Sequence, residues 1–124
     1  MGQFSNKKRI DANQAMAVCH SIRTSPRKLN LVAESVRGLN VEKAVAELSF
    51  SKKRIANVVL GVLNSAVANA ENNHSLNIDK LYVSEAYVGK GIVMKRMHAR
   101  GRGRSARVLK PFSNLTIVLT ERGE

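Results

Sequence analysis

Between Gly89 and Lys110 the chain reads GKGIVMKRMHARGRGRSARVLK, with eight lysines and arginines and no acid. The cations are Lys90, Lys95, Arg96, Arg100, Arg102, Arg104, Arg107 and Lys110. Charged groups at this density repel one another, and the few large apolar residues among them cannot build a core. The chemistry open to such a stretch is the binding of a polyanion. Arginine offers planar forks that meet phosphate oxygens in pairs, and lysine offers point charges. If all eight met phosphates, log affinity against log salt would slope at about −6 to −7. Two further basic sets stand apart from this arm: Arg27-Lys28, just inside a helix start, and Lys52-Lys53-Arg54, at the head of the longest apolar stripe. Three cations at a helix N-terminus oppose the macrodipole, so they meet an external anion there or are simply solvated.

Other chemistries lack their residues. His20, His74 and His98 are far apart and have no cysteine or carboxylate at metal-ligand spacing. Gly89-Lys90-Gly91 and Gly101-Arg102-Gly103 resemble pieces of phosphate loops, without the full spacing or the strand-to-helix context. No acid occurs from Ala86 to Thr120, so paired carboxylates are missing where the cations are densest. His98 as the base of a nuclease is a weaker reading than His98 touching the backbone or a base of a polyanionic partner. No catalytic site, metal or cofactor is expected. Cys19 is the one cysteine, which excludes an intramolecular disulfide and suits a reducing cytosol. No apolar run approaches the ~20 residues of a membrane span. The start MGQFSNKKRI has no apolar signal core, and Asn6 stands where myristoylation wants Ser or Thr. A soluble, cytoplasmic protein is expected.

The net charge is +12 and the isoelectric point about 10.6, which makes nucleic acid the leading partner class. Outside the arm, 13 basic residues face 9 acidic ones, so the charge is concentrated rather than spread. At 124 residues with 44% apolar content, one hydrophobic core is affordable. Aromatics make up only 4% and tryptophan is absent, so that core must come from Val, Leu, Ile and Ala. Scarce aromatics also argue against recognition of single strands by base stacking.

The elements that must position the arm can be read in order. Residues 1–11 form a polar, basic lead. Ala12–Arg23 is predicted as a strand, with Cys19 packed as a small apolar residue or on its open face. Ser25-Pro26 begins a helix with a hydroxyl cap and proline at the first position. Its stripe is Leu29, Val32, Ala33 and Val36, closed by Arg37-Gly38. Asn40 is positioned to cap a second helix striped by Val41, Ala44, Val45 and Leu48. Ser51 is predicted to cap the longest helix, Lys52–Asn72, roughly 30 Å long, with Ile55, Val58, Val59, Val62, Leu63, Ala66 and Ala70 in phase. The period then falls to two. Asp79–Val88 carries Leu81, Val83 and Tyr87 on one face, and Asn114–Arg122 alternates Leu115, Ile117 and Leu119 with Thr116, Val118 and Thr120.

These strands predict a three-stranded antiparallel sheet covered on one face by three helices, an α+β fold in a single domain over 1–124. The body takes about 12–88 and 111–122, and the arm takes 89–110. With both ends tethered by strands, the arm becomes a long basic β-hairpin extension of roughly 40 Å, at ~3.3 Å per residue and about twelve residues per leg. A lone ribbon is marginal in water, so its tip should be mobile in the free protein.

One further pattern is specific. Lys95, then Arg100-Gly101-x-Gly103-Arg104, then nine residues, then Asn114-Leu115-x-Ile117-x-Leu119 matches in full the signature of one ribosomal family. Met94-Lys95-Arg96, the Thr24-Ser25-Pro26-Arg27-Lys28 helix start and Ala66-x-x-Asn69-Ala70 fit it as well. The chain resembles, over roughly residues 12–122, the bacterial large-subunit ribosomal protein family number twenty-two. Ala99 departs from the pattern, because many relatives carry proline there.

The resemblance implies a structural protein that binds large-subunit ribosomal RNA and supports subunit assembly. The body would sit on the subunit surface near the exit of the nascent-chain tunnel. The segment Met94, Lys95, Arg96, Met97, His98, Ala99, Arg100, Gly101, Arg102, Gly103, Arg104 would line that tunnel. It would lie beside large-subunit protein four at the constriction, next to the nascent polypeptide and close to where macrolide antibiotics bind. Two rival readings stand beside it. A DNA-bending protein also carries basic β-arms, but these usually end in an apolar wedge, absent from the Arg-Gly tip. A nucleic-acid-processing enzyme would need His98 for turnover. A membrane role fails because the arm has no apolar face at helical spacing.

Overall fold

The computed structural model describes residues 10–122, so residues 1–9 of the lead expected over 1–11 lie outside the described residues. Strands β1 (Gln14–Ile22), β2 (Leu81–Ala99) and β3 (Ser105–Glu121) form one antiparallel sheet in the order β1-β3-β2. Helices α1 (Pro26–Val36), α2 (Val41–Phe50) and α3 (Ala56–His74) complete the α+β fold. α1 packs on β2, α3 packs on β1 and β3, and α2 packs against α3.

Local chemistry accounts for α1. The Lys28 N–H donates to Ser25 Oγ at 3.3 Å, and Pro26 occupies the first turn. Leu29, Val32, Ala33 and Val36 are buried as one stripe. The helix ends at Val36 with Arg37 as its cap, and the chain turns at Gly38, whose φ of +78° only glycine adopts without strain, and whose N–H donates to Val83 O at 2.8 Å. Arg37 Nε donates to Ala86 O and its Nη2 to Asn30 Oδ1, both at 2.7 Å. This cation therefore ties the end of α1 to β2.

Two expected caps differ. Asn40 precedes α2 but makes no side-chain cap hydrogen bond; its backbone bridges to Tyr82 instead. Ser51 terminates α2 rather than starting α3, with ψ at 136° and its N–H donating to Leu48 O. The Ser51 hydroxyl accepts from Lys53 N–H at 3.4 Å, a local turn that competes with helix. α3 consequently begins at Ala56, behind Ile55, and runs two residues past the expected end. Lys52, Lys53 and Arg54 lie in the connection between helices, directly ahead of the Ile55 N-cap rather than in the first turn of α3. In α3, Val59, Val62, Leu63, Ala66 and Ala70 are buried, whereas Val58 is 39% exposed.

In the sheet, Leu115, Ile117 and Leu119 are fully buried against the helices. Each such side chain contributes about 1.5–3 kcal/mol by leaving water. Thr116, Val118 and Thr120 face the other way and are also buried, because β3 is flanked on both sides. Cys19 opposes Leu115 and packs against the core. Tyr87 was expected beside Leu81 and Val83 and is not. Ser84 is an extra residue between the pairs Val83↔Leu119 and Glu85↔Val118. This bulge reverses the alternation, turning Ala86 and Val88 to the core and Tyr87 to the open face. The start of the strand also shifts, since Ile78–Lys80 is a 3-10 turn in which Asn77 Oδ1 accepts from Asp79 N–H at 3.0 Å. Among the described residues no buried side-chain nitrogen or oxygen lacks a hydrogen-bond partner.

Candidate nucleic-acid interface

β2 and β3 do not stop at the body. Their ladder continues through Lys90↔Ser113, Val93↔Pro111, Met94↔Lys110, Lys95↔Leu109, Arg96↔Val108, Met97↔Arg107 and His98↔Ala106 to Ala99↔Ser105. In this register no two cations stand directly opposite. Lys95, Arg96, Arg107 and Lys110 each oppose an apolar residue, which avoids like-charge repulsion and gives each long stem a surface to lie on. Because side chains alternate across a strand, one face of the ribbon carries Arg96 and Lys110 on one diagonal and Met94 and Val108 on the other. The opposite face carries Lys95 and Arg107 with Met97 and Leu109. Both faces therefore present an arginine, a lysine, a methionine and an aliphatic side chain. A recess of about 660 Å³ is lined by Lys95, Arg96, Met97, Ser105, Ala106 and Arg107.

The tip is a tight turn. Arg100 N–H donates to Arg104 O at 2.7 Å, and Arg104 N–H to Gly101 O at 3.4 Å. The residues between them, Arg102 and Gly103, have φ of +61° and +71°, the positive pair that hairpin turns favour. Glycine is at home at 103. Arg102 carries a Cβ into the left-handed region, at about 1–2 kcal/mol.

The root is shaped by two further irregularities. On one side of β3, His20 and Ser21 oppose Asn114 alone; on the other, Gly91 and Ile92 oppose Phe112 alone. Bulges bend a strand and increase its twist, and here two of them flank adjacent parts of β3 where the ribbon leaves the body. Ser21 has φ +58°, and its N–H donates to Asn114 Oδ1 at 3.1 Å. Ser113 is fully buried and its hydroxyl donates to Thr24 O at 2.7 Å, joining the root to the start of α1.

All thirteen cations singled out from the sequence are exposed. Eight lie in or at the end of the ribbon. Arg27 and Lys28 begin α1, directly after β1 ends at the root. Lys52, Lys53 and Arg54 precede α3, whose early residues Val58, Gly61 and Val62 share a groove with Cys19, while Asn69 later in the helix donates to Met16 O at 3.1 Å. The α3 start is therefore at the Cys19 end of β1, the same end from which the ribbon departs. The two outlying basic sets thus lie toward the end of the body from which the ribbon departs. Sequence spacing gave no sign of this, and it missed Asn114 and Ser113 as root-holding residues. Among the described residues no three of His, Cys, Asp and Glu are grouped to hold a metal, and no helix is long and apolar enough to cross a membrane.

The fold and surface define a class: a small, strongly cationic α+β protein whose sheet runs on into a two-faced basic ribbon. Residues 17–120 match the family model described as ribosomal protein L22p/L17e, and the chain belongs to this family. A protein of Rhodospirillum rubrum called large ribosomal subunit protein uL22 is 60% identical over 124 residues, covering 100% of this chain and 98% of that one. Its namesake in Rhizobium etli is 60% identical over 98% of this chain and 94% of the relative. That of Phenylobacterium zucineum is 56% identical over 100% and 98%.

Proposed function

We propose that the chain is a structural constituent of the large ribosomal subunit, without catalytic activity, and that it binds large-subunit ribosomal RNA through the ribbon and the basic residues at its root. The observation that carries this is the two-faced distribution of charge. A ribbon lying on a surface uses one face. A ribbon with an arginine–lysine diagonal on each face gains from all four cations only when polyanion surrounds it. Arg27, Lys28, Lys52, Lys53 and Arg54 then meet phosphates where the ribbon enters the RNA. In this reading the body, about 12–88 and 111–122, rests on the subunit surface near the tunnel exit, and the arm, 89–110, threads inward. Met94–Arg104 lines the nascent-polypeptide tunnel beside large-subunit protein four, near the macrolide site. By bridging separate RNA segments the protein supports assembly of the subunit in the cytoplasm.

Sucrose-gradient fractionation of a cell lysate tests this. The protein should co-migrate with large subunits at moderate salt. If it stays at the top of the gradient, the proposal fails.

A further inference from the structure

The sheet has a second face that none of the described helices covers, and its side chains differ in kind from those of the ribbon. Three cross-strand rows make it up: Gln14, Thr120 and Tyr82; Met16, Val118 and Glu85; Val18, Thr116 and Tyr87. Both tyrosines of the chain are on this face, a consequence of the Ser84 bulge. A cleft of about 330 Å³ is lined by Ile10, Gln14, Met16, Glu85, Tyr87 and Val118. Val118, 4% exposed, is its apolar floor, and Tyr87, 38% exposed, stands at its wall. The polar groups around the floor hold one another: Gln14 Nε2 donates to Thr120 Oγ1 at 3.2 Å, and Thr120 Oγ1 donates to Ser84 Oγ at 2.7 Å.

We propose that this cleft binds one unstacked guanine of ribosomal RNA, stacked on Tyr87 over Val118, with its Watson–Crick edge on the Glu85 carboxylate. The proposal rests on the reading of the chain as an RNA-binding protein. The nine positions of the three rows hold no cation and one carboxylate, so a phosphate is the wrong ligand. The chain has too few aromatics to read a single strand by stacking, but an aromatic wall beside an apolar floor suits the face of one base. Glu85 selects which base. An ionised carboxylate only accepts hydrogen bonds. Guanine presents N1–H and an N2 amino hydrogen side by side, matching both carboxylate oxygens. Adenine and cytosine place an acceptor next to their amino group, and uracil flanks its one N–H with two carbonyls. Glu85 and Tyr87 are two residues apart on one strand, so they share the face at ~7 Å, close enough to act on one base.

The test uses the full chain and three labelled RNA pentamers, UUGUU, UUAUU and UUCUU, followed by anisotropy at fixed salt. The ribbon binds all three through their phosphates, so the readout is preference. UUGUU should bind at least about fivefold more tightly than the others, the lower end for a bidentate contact. Glu85→Gln should remove that preference and leave UUAUU unchanged. The chain has two tyrosines and no tryptophan. In Tyr82→Phe, therefore, Tyr87 is the sole tyrosine emitter, and UUGUU should quench it. Equal binding of the three pentamers, a preference that survives Glu85→Gln, or unquenched Tyr87 would each overturn the proposal. So would loss of a neighbouring ribosomal protein from Glu85→Gln subunits without any pentamer preference, which would assign the face to a protein. Gradient migration of the wild-type chain separates the two readings: failure to join large subunits sinks the ribosomal function, whereas normal migration with no guanine preference sinks only this site.

Discussion

A Cβ built on Gly91 would stand 2.9 Å from the carbonyl oxygen of Phe112 and 3.1 Å from its carbonyl carbon. The contact is backbone, so no side chain can swing aside. It falls in the bulge where Gly91 and Ile92 oppose Phe112, at the root of the ribbon. Gly91→Ala should therefore destabilise the protein by about 1–3 kcal/mol, the usual range for overpacking a tight site. Gly89, two residues earlier, has nothing within 4 Å of its built Cβ. Gly89→Ala should stay within about 0.5 kcal/mol of wild type. Urea denaturation of both variants checks this, and equal midpoints would show that the root tolerates a methyl group.

The four cations on the two ribbon diagonals should contribute separately to RNA affinity. Lys95→Ala, Arg96→Ala, Arg107→Ala and Lys110→Ala should each reduce the salt slope for large-subunit RNA by about 0.7–0.9, because each releases one fewer counterion. Losses from both faces are the diagnostic result. If only Lys95 and Arg107 mattered, the ribbon would be lying on one side.

Opposing cations should be disallowed. Leu109→Lys places a second ammonium directly across from Lys95. Cross-strand like charges cost about 0.2–1 kcal/mol, enough to loosen an isolated two-stranded segment. Amide exchange should accelerate from Lys95 to Arg107 and remain unchanged in the body. Unaltered exchange in the ribbon would show that charge pairing does not set its order.

Removing Met94, Lys95 and Arg96 deletes an odd number of residues from β2. If pairing resumed behind Val93↔Pro111, Met97 would oppose Lys110 and Arg100 would oppose Arg107. The distal ladder should therefore be lost while the body melts within about 2 °C of wild type, since its core does not reach the ribbon. RNA binding through the remaining basic sites should persist, and tunnel-directed effects, in drug sensitivity or nascent-chain passage, should change. Collapse of the body would show that the ribbon is part of the core.

Much of this architecture was legible because local chemistry and fold agree. Ser25-Pro26, the Leu29–Val36 stripe and Gly38 each have a single cheap reading as helix start, face and stop. The alternation through Leu115, Ile117 and Leu119 is equally direct. The failures share a cause: one extra residue or one competing side chain reverses a pattern that periodicity alone extrapolates. Ser84 turns Tyr87 outward, and no composition signal marks it. Ser51 fits a cap of either helix, and the hydrogen bond from Lys53 N–H decides. At the interface, the identity of the cations was plain in the sequence, but the register that keeps Arg96 from opposing Arg107 follows from the Gly91–Ile92 bulge. The approach of Lys52–Arg54 to the root depends on how α3 packs along β1.

The central position of β3 has a consequence for how the chain is made. Among the described residues β1 pairs only with β3, and the side-chain contact between Gln14 and Thr120 spans 106 residues. β2 likewise waits for β3 to close its ladder. Contacts this distant in sequence make folding slow, because the loop between them must be closed before any pairing rewards it. No sheet exists until the last strand has been synthesised. The helices can form early, but for nearly all of its synthesis this polypeptide is a set of unpaired edges and exposed stripes, and its final strand turns them into a folded protein.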